Sequence, residues 1–460
     1  MLEHHLPEWF SRHIGLPLLV DSPLRRAKNR PAFRRLLREK LAGQFLPLEQ
    51  QQAQQLALVK PLLAHAGRQV PYYRDLFRDL RFDPLAVRSL DDLQALPVLT
   101  RQTIQAQGRR MLAEDAAARG IGEGFTGGSS GIPMLFWYDP AFYQNAEAAA
   151  WLSDMAAGRR YGTSTAYYWG APMDLTPYRG WRGLARRWLR NEHYFDTHFT
   201  NDHRLRAYHA RLTALKPGIL VGYATGLAAL AHFLEREGLT AAYPRLAVIP
   251  SGEVLDPEMR AALERVFPAP VFNRYGSREV GLMAYECDHH LGLHLNLSNA
   301  YLECLGPDVY ESPGELVITQ LHNYAMPLIR YQVDDLAVLD RRACTCGRAA
   351  PMLARLAGRR MASFVTANGT LVEGYHLIRF VRRAPGVLEF QLIQEAVGRF
   401  RLLLMTKPDF DPASLAQARA DIADQMGAEV ELIVEQVERI PRPPSGKAQM
   451  LLSRLAPGPQ

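Results

Sequence analysis

Four cysteines in 460 residues are too few to staple a secreted domain together, so a disulfide framework is excluded. No run of about 18 uninterrupted apolar residues occurs, which excludes a conventional helical membrane span. The opening residues, MLEHHLPEWF, lack the basic and then apolar segments of a secretory signal. No large excess of one charge is present either. The net charge of +7 is modest for this length and spread along the chain, so it suits a small anionic ligand as readily as a nucleic acid. What is there is 48% hydrophobic residues with charges of both signs, enough for two or three globular domains. A cytoplasmic enzyme or binding protein is the expectation.

Residues 32 to 120 carry Leu, Ala, Gln and Arg at helical spacing and contain no repeat, which predicts a helical packing layer over about residues 1–120. The pattern changes at Lys216. Gly218 to Tyr223 and Leu246 to Pro250 read as buried strands, Leu227 to Arg236 and Pro257 to Val266 as helices, and Pro270 to Phe272 as a third short strand. Alternating strands and helices imply a parallel sheet, whose ligands bind beyond the carboxyl ends of the strands. Two small polar motifs follow such ends: Ser251-Gly252-Glu253, and Asn273-Arg274-Tyr275-Gly276. From about Gly358 a separate α+β unit is predicted. It has a hairpin over Leu388–Gln394 and Arg399–Thr406, a helix from Pro412 to Met426, a strand from Glu429 to Val434, and a closing loop that ends at Lys447.

The stretch TGGSSGIP, Thr126 to Pro133, offers three glycines and three hydroxyls in eight residues. Backbone N–H groups freed by glycine, with the hydroxyls of Thr126, Ser129 and Ser130, can surround a phosphate. It is not a Walker A loop, because no Gly-Lys-Ser/Thr follows. Alone, a surface turn is the commoner use of such a stretch.

Taken in order, TGGSSGIP, SGE, NRYGSREVG, PLIRYQVDD, CTCGRAAP, AGRR and PPSGK resemble the adenylate-forming superfamily of acyl-CoA synthetases, luciferases and peptide-synthetase adenylation domains. The likeness runs from VPYYRDLF at Val70 to Lys447 and is closest to the phenylacetate–CoA ligase and CapK-like branch. It implies an α/β fold with a large N-terminal domain, residues 1–357, and a small mobile α+β domain, residues 358–460. It also implies ATP- and Mg²⁺-dependent activation of a carboxylic acid to an acyl-adenylate, followed by transfer to CoA. An amine, hydroxyl or carrier-thiol acceptor, and a relative that has lost catalysis, stay open. The implied partners are a small carboxylic acid and CoA or a carrier thiol, with no nucleic acid; a homodimer is left open. Peripheral membrane contact through the basic segment Arg179–Arg190 stays open beside the commoner reading, a solvated helix face.

The resemblance assigns roles residue by residue. Thr126, Gly127, Gly128, Ser129, Ser130 and Gly131 would hold the β- and γ-phosphates, and Glu279 would help hold Mg²⁺. Ser251, Gly252 and Glu253 would line the adenine pocket, with Tyr275 beside the base. Asp335 would accept from the ribose hydroxyls, with Arg359 nearby, and Lys447 would bridge the attacking carboxylate and the α-phosphate. Two departures stand out. Asp334 occupies the place of the usual glycine, setting a second carboxylate beside Asp335, and Arg360, Met361 and Ala362 follow the hinge where an acidic residue is frequent. Gly369 in TANGTLVEG suits a CapK-like C-terminal unit. The acid itself is not specified, although Tyr167, Tyr168, Trp169 and Tyr223 hint at an aromatic or apolar one.

The cysteines support a separate expectation. Leu291 to Ser298 alternates strictly, which predicts a strand presenting His294, Asn296 and Ser298 on one face. With Cys287, Cys344 and Cys346, His294 would complete a tetrahedral structural zinc site, His289 or His290 being alternatives to it.

Overall fold

The structure is a computed structural model that describes residues 30–126, 134–169, 190–197, 201–359, 363–366, 371–373, 384–408, 410–426, 430–441 and 450–455, with single positions 181, 187, 188, 377 and 381. It is a mixed α/β protein of two compact units. The larger takes in the described residues up to Arg355 apart from Asp334–Leu336, which group with the smaller unit and the residues from Leu356 on.

The larger unit begins with the helices Arg30–Gly43, Leu48–Gln69 and Pro71–Leu80. Leu48–Gln69 buries Gln51, Gln55, Val59, Leu62, Leu63 and Ala66, the stripe expected of a 3.6-residue period. It stops because Pro71 forces Val70 into an extended conformation, and the next helix starts with that proline at its first position.

Four parallel strands follow in the order Glu192–Asp196, Thr165–Trp169, Ile219–Gly222 and Ala247–Pro250. The last two are buried along their whole length, as continuous apolar runs in a sheet covered on both faces should be. Helices Ala224–Arg236 and Pro257–Val266 follow them, so both predicted helices are present. The third predicted strand is not. Pro270–Phe272 contributes a single parallel bridge, Val271 to Val248, because the chain leaves at once for a different sheet. Tyr168 and Tyr223, read as hints of an acyl pocket, are buried, and Tyr168 packs in the core with Phe195 and Leu227.

A seven-stranded sheet has the order Ala300–Leu305, Gly314–Gln320, Tyr331–Asp340, Met352–Arg359, Leu293–Leu295, Gly281–Glu286 and Arg274–Ser277. The predicted alternating strand around His294 is only Leu293–Leu295, and all three residues are buried. Strict alternation here does not mark a half-exposed face, because the polar residues turn into a second buried layer.

The smaller unit has a four-stranded sheet in the order Glu431–Gln436, Arg399–Thr406, Val387–Ala396 and Leu451–Ser453. The predicted hairpin turns at Gly398, and the helix after Asp411 starts as a 3₁₀ turn, Pro412–Leu415, before becoming Ala416–Met426. Phe364, Phe390, Phe400, Leu402 and Ile422 form its own core. No helix among the described residues is long and apolar enough to cross a membrane.

Candidate active site

The carboxyl edge of the parallel sheet gathers the polar motifs. Ser251 follows Pro250 directly, and its N–H donates to the Gly222 carbonyl of the adjacent strand at 2.8 Å. Gly252 has φ +78°, a left-handed turn that glycine adopts without strain. Glu253 folds back over the neighbouring helix: its Oε2 accepts from the Thr225 N–H at 2.9 Å and the Thr225 hydroxyl at 2.7 Å. Thr225 lies in the first turn of Ala224–Arg236, so this carboxylate answers the positive end of the helix dipole.

Asn273 and Tyr275 lie on the next segment. The Asn273 N–H donates to Glu286 Oε2 at 2.8 Å, and the Glu286 N–H returns to the Asn273 carbonyl at 2.9 Å. Burial opposes ionisation of Glu286, but bonds from His290, Arg260 and the Asn273 N–H outweigh it and hold its carboxyl below the usual range. Tyr275 is buried. Gly276 pairs with the following strand so closely that a Cβ there would sit 2.7 Å from the Gly281 carbonyl oxygen. Glu279 is buried in the turn between Arg274–Ser277 and Gly281–Glu286.

Arg274, part of the predicted motif but given no role of its own from the sequence, ties these loops together. Its Nε donates to Ser251 Oγ at 3.0 Å and its Nη1 to Asp154 Oδ1 at 2.8 Å. Asp154 also accepts from Arg159 at 2.6 Å, and Arg159 stacks over the Trp151 ring at 4.5 Å and reaches Glu192 at 3.4 Å. Arg190 faces Glu192 and Glu147 at 3.8 and 3.0 Å, so Arg159, Arg190 and Arg274 are matched by Asp154, Glu192 and Glu147. Burial lowers the Arg159 pKa, but Tyr167, Asp154 and Glu192 outweigh it and hold the guanidinium charged.

Thr126 closes the base of the glycine-rich stretch. Its N–H donates to the Met134 carbonyl at 2.9 Å, while its Oγ1 accepts from the Met134 N–H and from Arg101, each at 3.1 Å. The flanking strands Gly122–Phe125 and Leu135–Tyr138 pair antiparallel. Arg278, beside Glu279, donates to the Phe125 carbonyl at 3.3 Å. Gly127, Gly128, Ser129, Ser130 and Gly131, the lysine Lys447, the hinge residues Arg360 to Ala362, and Gly369 lie outside the described residues, as does most of the basic segment before Arg190. In the smaller unit's portion of Tyr331–Asp340, Asp335 is partly exposed and its neighbour Asp334 has φ +62°. Arg359 ends the strand Met352–Arg359.

The four cluster residues converge. One donor atom from each of Cys287, His294, Cys344 and Cys346 lies within 4.8 Å of every other. Cys287 Sγ is 3.7 Å from Cys344 Sγ, too far for a disulfide, and Cys346 Sγ is 3.4 Å from His294 Nε2. A tetrahedral zinc with bonds of about 2.3 Å to sulfur and 2.0 Å to nitrogen requires separations of roughly 3.8 and 3.5 Å, which these two distances match. His294 is buried rather than presented on an open face. His289 and His290 have other partners, Thr345 at 2.8 Å and Glu286 at 3.3 Å. Burial pushes the Cys287 thiol up to about 12, whereas Cys346, raised by burial, is brought below its ordinary value by bonds from Arg348.

The model of the CapK C-terminal domain matches residues 364–454. Protein CapK of Staphylococcus aureus is 23% identical over 58% of this chain and 59% of its own length, so the chain spans under two thirds of that relative. Phenylacetate-coenzyme A ligase of Thermus thermophilus is 25% identical over 80% of this chain and 82% of its own. Among solved structures, 2-hydroxyisobutyryl-CoA ligase in the postadenylation state, with an acyl-AMP bound, superposes with a TM-score of 0.69 at 19% identity. That match covers 89% of this chain and 90% of the ligase. The chain shares the fold of this ligase. In sequence it is similar to CapK and to phenylacetate-coenzyme A ligase. The same ligase in its thioesterification state superposes with a TM-score of 0.59.

Proposed function

We propose that the protein activates a carboxylic acid with ATP to an acyl-adenylate, releasing pyrophosphate, and passes the acyl group to CoA. The reading rests above all on the strand-end loops Ser251–Glu253 and Asn273–Gly276, tied through Arg274 at the carboxyl edge of a parallel sheet, where such sheets bind ligands. Ser251, Gly252 and Tyr275 would receive the adenine. The glycine-rich loop, pinned at Thr126, would receive the phosphates, and Asp335 the ribose, with Arg359 beside it. Glu279 would hold the Mg²⁺, which supplies charge neutralisation between two anionic reactants. Lys447, carried by the C-terminal domain from about residue 358, would stabilise charge developing between the acid and the α-phosphate. The relatives bear on this choice through what they are: one is a phenylacetate-coenzyme A ligase, and one solved neighbour carries an acyl-AMP.

We further infer that Cys287, His294, Cys344 and Cys346 hold a structural zinc, since four protein ligands leave no place for a reacting water. The unpaired thiols fit a reducing, cytoplasmic setting. ATP–pyrophosphate exchange across a panel of carboxylic acids tests the first step, and CoA added to the acids that exchange tests the second. No exchange with any acid, while ATP still binds, would make the chain a nucleotide-binding relative without catalysis. Adenylation without thioester formation would move the acceptor to an amine, hydroxyl or carrier thiol.

A further inference from the structure

A cavity of about 210 Å³ in the larger unit lies between helices Arg30–Gly43, Leu48–Gln69 and Pro140–Ala156 and the segment around Leu293–Ser298. It contains none of the residues assigned above to the nucleotide, and of the cysteine cluster only His294 lines it. Exposed Glu39 and Gln54 form its rim, and buried Lys40, Gln55 and Asn145 its floor.

Two floor groups are incompletely satisfied. Lys40 is only 4% exposed, and its ammonium donates to the Ser298 carbonyl at 2.8 Å and to the Ser298 hydroxyl at 3.1 Å. Among the described residues no carboxylate pairs with it, which leaves its third N–H for another acceptor. Asn145 donates through Nδ2 to the Ala141 carbonyl at 3.0 Å, whereas its Oδ1 is buried with no hydrogen-bond partner. His322 also reaches the Ser298 carbonyl, at 2.8 Å; a carbonyl only accepts, so this imidazole carries its proton at Nε2 and donates it there. Burial lowers the Lys40 pKa to about 7, and its nearest opposing influence is the rim carboxylate Glu39. A buried cation without a counterion and a buried acceptor without a donor each cost free energy that a folded protein ordinarily avoids.

The two groups specify a complementary molecule. One ammonium balances one negative charge, so a monoanion fits better than a phosphate dianion. The Asn145 oxygen calls for a hydrogen-bond donor on the same molecule, and the volume exceeds what one water needs. We propose that this cavity binds a small carboxylate that also carries a hydroxyl or similar donor, the carboxylate on Lys40 and the donor on Asn145 Oδ1.

Glycolate, with acetate as the donor-free control, tests this on the full chain by calorimetry. Wild type is expected to bind one glycolate at this site with about tenfold higher affinity than acetate. Lys40→Met should remove that binding event while ATP–pyrophosphate exchange continues, and Asn145→Leu should bring glycolate down to the affinity of acetate. Glycolate binding that is absent in wild type, or identical in wild type and Lys40→Met, overturns the site. Should Lys40→Met not fold, wild-type crystals soaked in glycolate carry the test: density joining Lys40 and Asn145 supports the proposal, and solvent alone refutes it.

Discussion

Replacing Arg274 with methionine asks how strongly the strand-end loops are held. The Arg274 side chain is 13% exposed and that of Asp154 6%, so their 2.8 Å ion pair is largely shielded from water. Removing one partner of a buried pair costs about 3–5 kcal/mol when the other is left stranded. Asp154 is not stranded, because Arg159 still holds it at 2.6 Å. The methionine also keeps most of the packing of the arginine stem. The loss then consists of one charge-assisted bond to Asp154 and one to Ser251 Oγ, about 1.5–3 kcal/mol each. Asp154→Asn differs, since it takes the counter-charge from two arginines at once and should cost at least as much as the upper figure for a broken buried pair.

The two changes share a network, so the double variant should lose less than the sum of the singles, by about 1–2 kcal/mol. Urea midpoints at an unchanged slope measure all three. Because Ser251 loses its tether, the KM for ATP in pyrophosphate exchange should rise several-fold in Arg274→Met, with a smaller change in kcat. Stability of Arg274→Met within about 0.5 kcal/mol of wild type, as for an ordinary surface substitution, would show that the network does not hold the loop.

Gly276→Ala should cost about 1–3 kcal/mol and depress exchange activity, since its methyl would press on the Gly281 carbonyl at 2.7 Å; thermal denaturation beside the exchange assay reads both. Asp334→Gly and Asp334→Ala remove the same charge, yet at φ +62° the alanine variant should be less stable by about 1 kcal/mol, and both should lower the KM for ATP if the second carboxylate repels polyphosphate. Cys346→Ser should lower both the zinc content, expected at about one per chain by metal analysis, and the melting temperature, because metal binding energy is folding energy; metal-free wild type prepared without chelator would rule the site out. Lys447→Ala should slow acyl-adenylate formation about 10²- to 10³-fold with little change in ATP binding, and transfer from a synthetic acyl-adenylate to CoA should run near normal.

Residues whose role is local were legible, and residues whose role is a distant pairing were not. The buried parallel strands show as GILVGY and LAVIP because a strand covered on both faces must be apolar throughout. The convergence of Cys287, Cys344 and Cys346 with His294 was legible because clustered cysteines and histidine suit a metal, and antiparallel pairing of His294 with Tyr285 and Met352 draws the segments together. Glu253 follows the strand Ala247–Pro250, yet its bonds to Thr225 could not be read from SGE, because a residue 28 positions earlier supplies the donors.

Arg274 and Asp154 are 120 residues apart, and an ion pair over that distance leaves no periodic trace. One signal was available. Arg274 stands two residues after Phe272 and directly before Tyr275, both buried, and a guanidinium set among buried neighbours needs a carboxylate or a carbonyl within reach. The same reasoning, applied to Asp154 in the largely apolar stretch AAAWLSDMAA, marks it as one half of a pair. Physical demand on a charged residue in an apolar context is therefore the cue that motif order lacks, and it points to the side chains that hold a site in place rather than to those that touch its ligand.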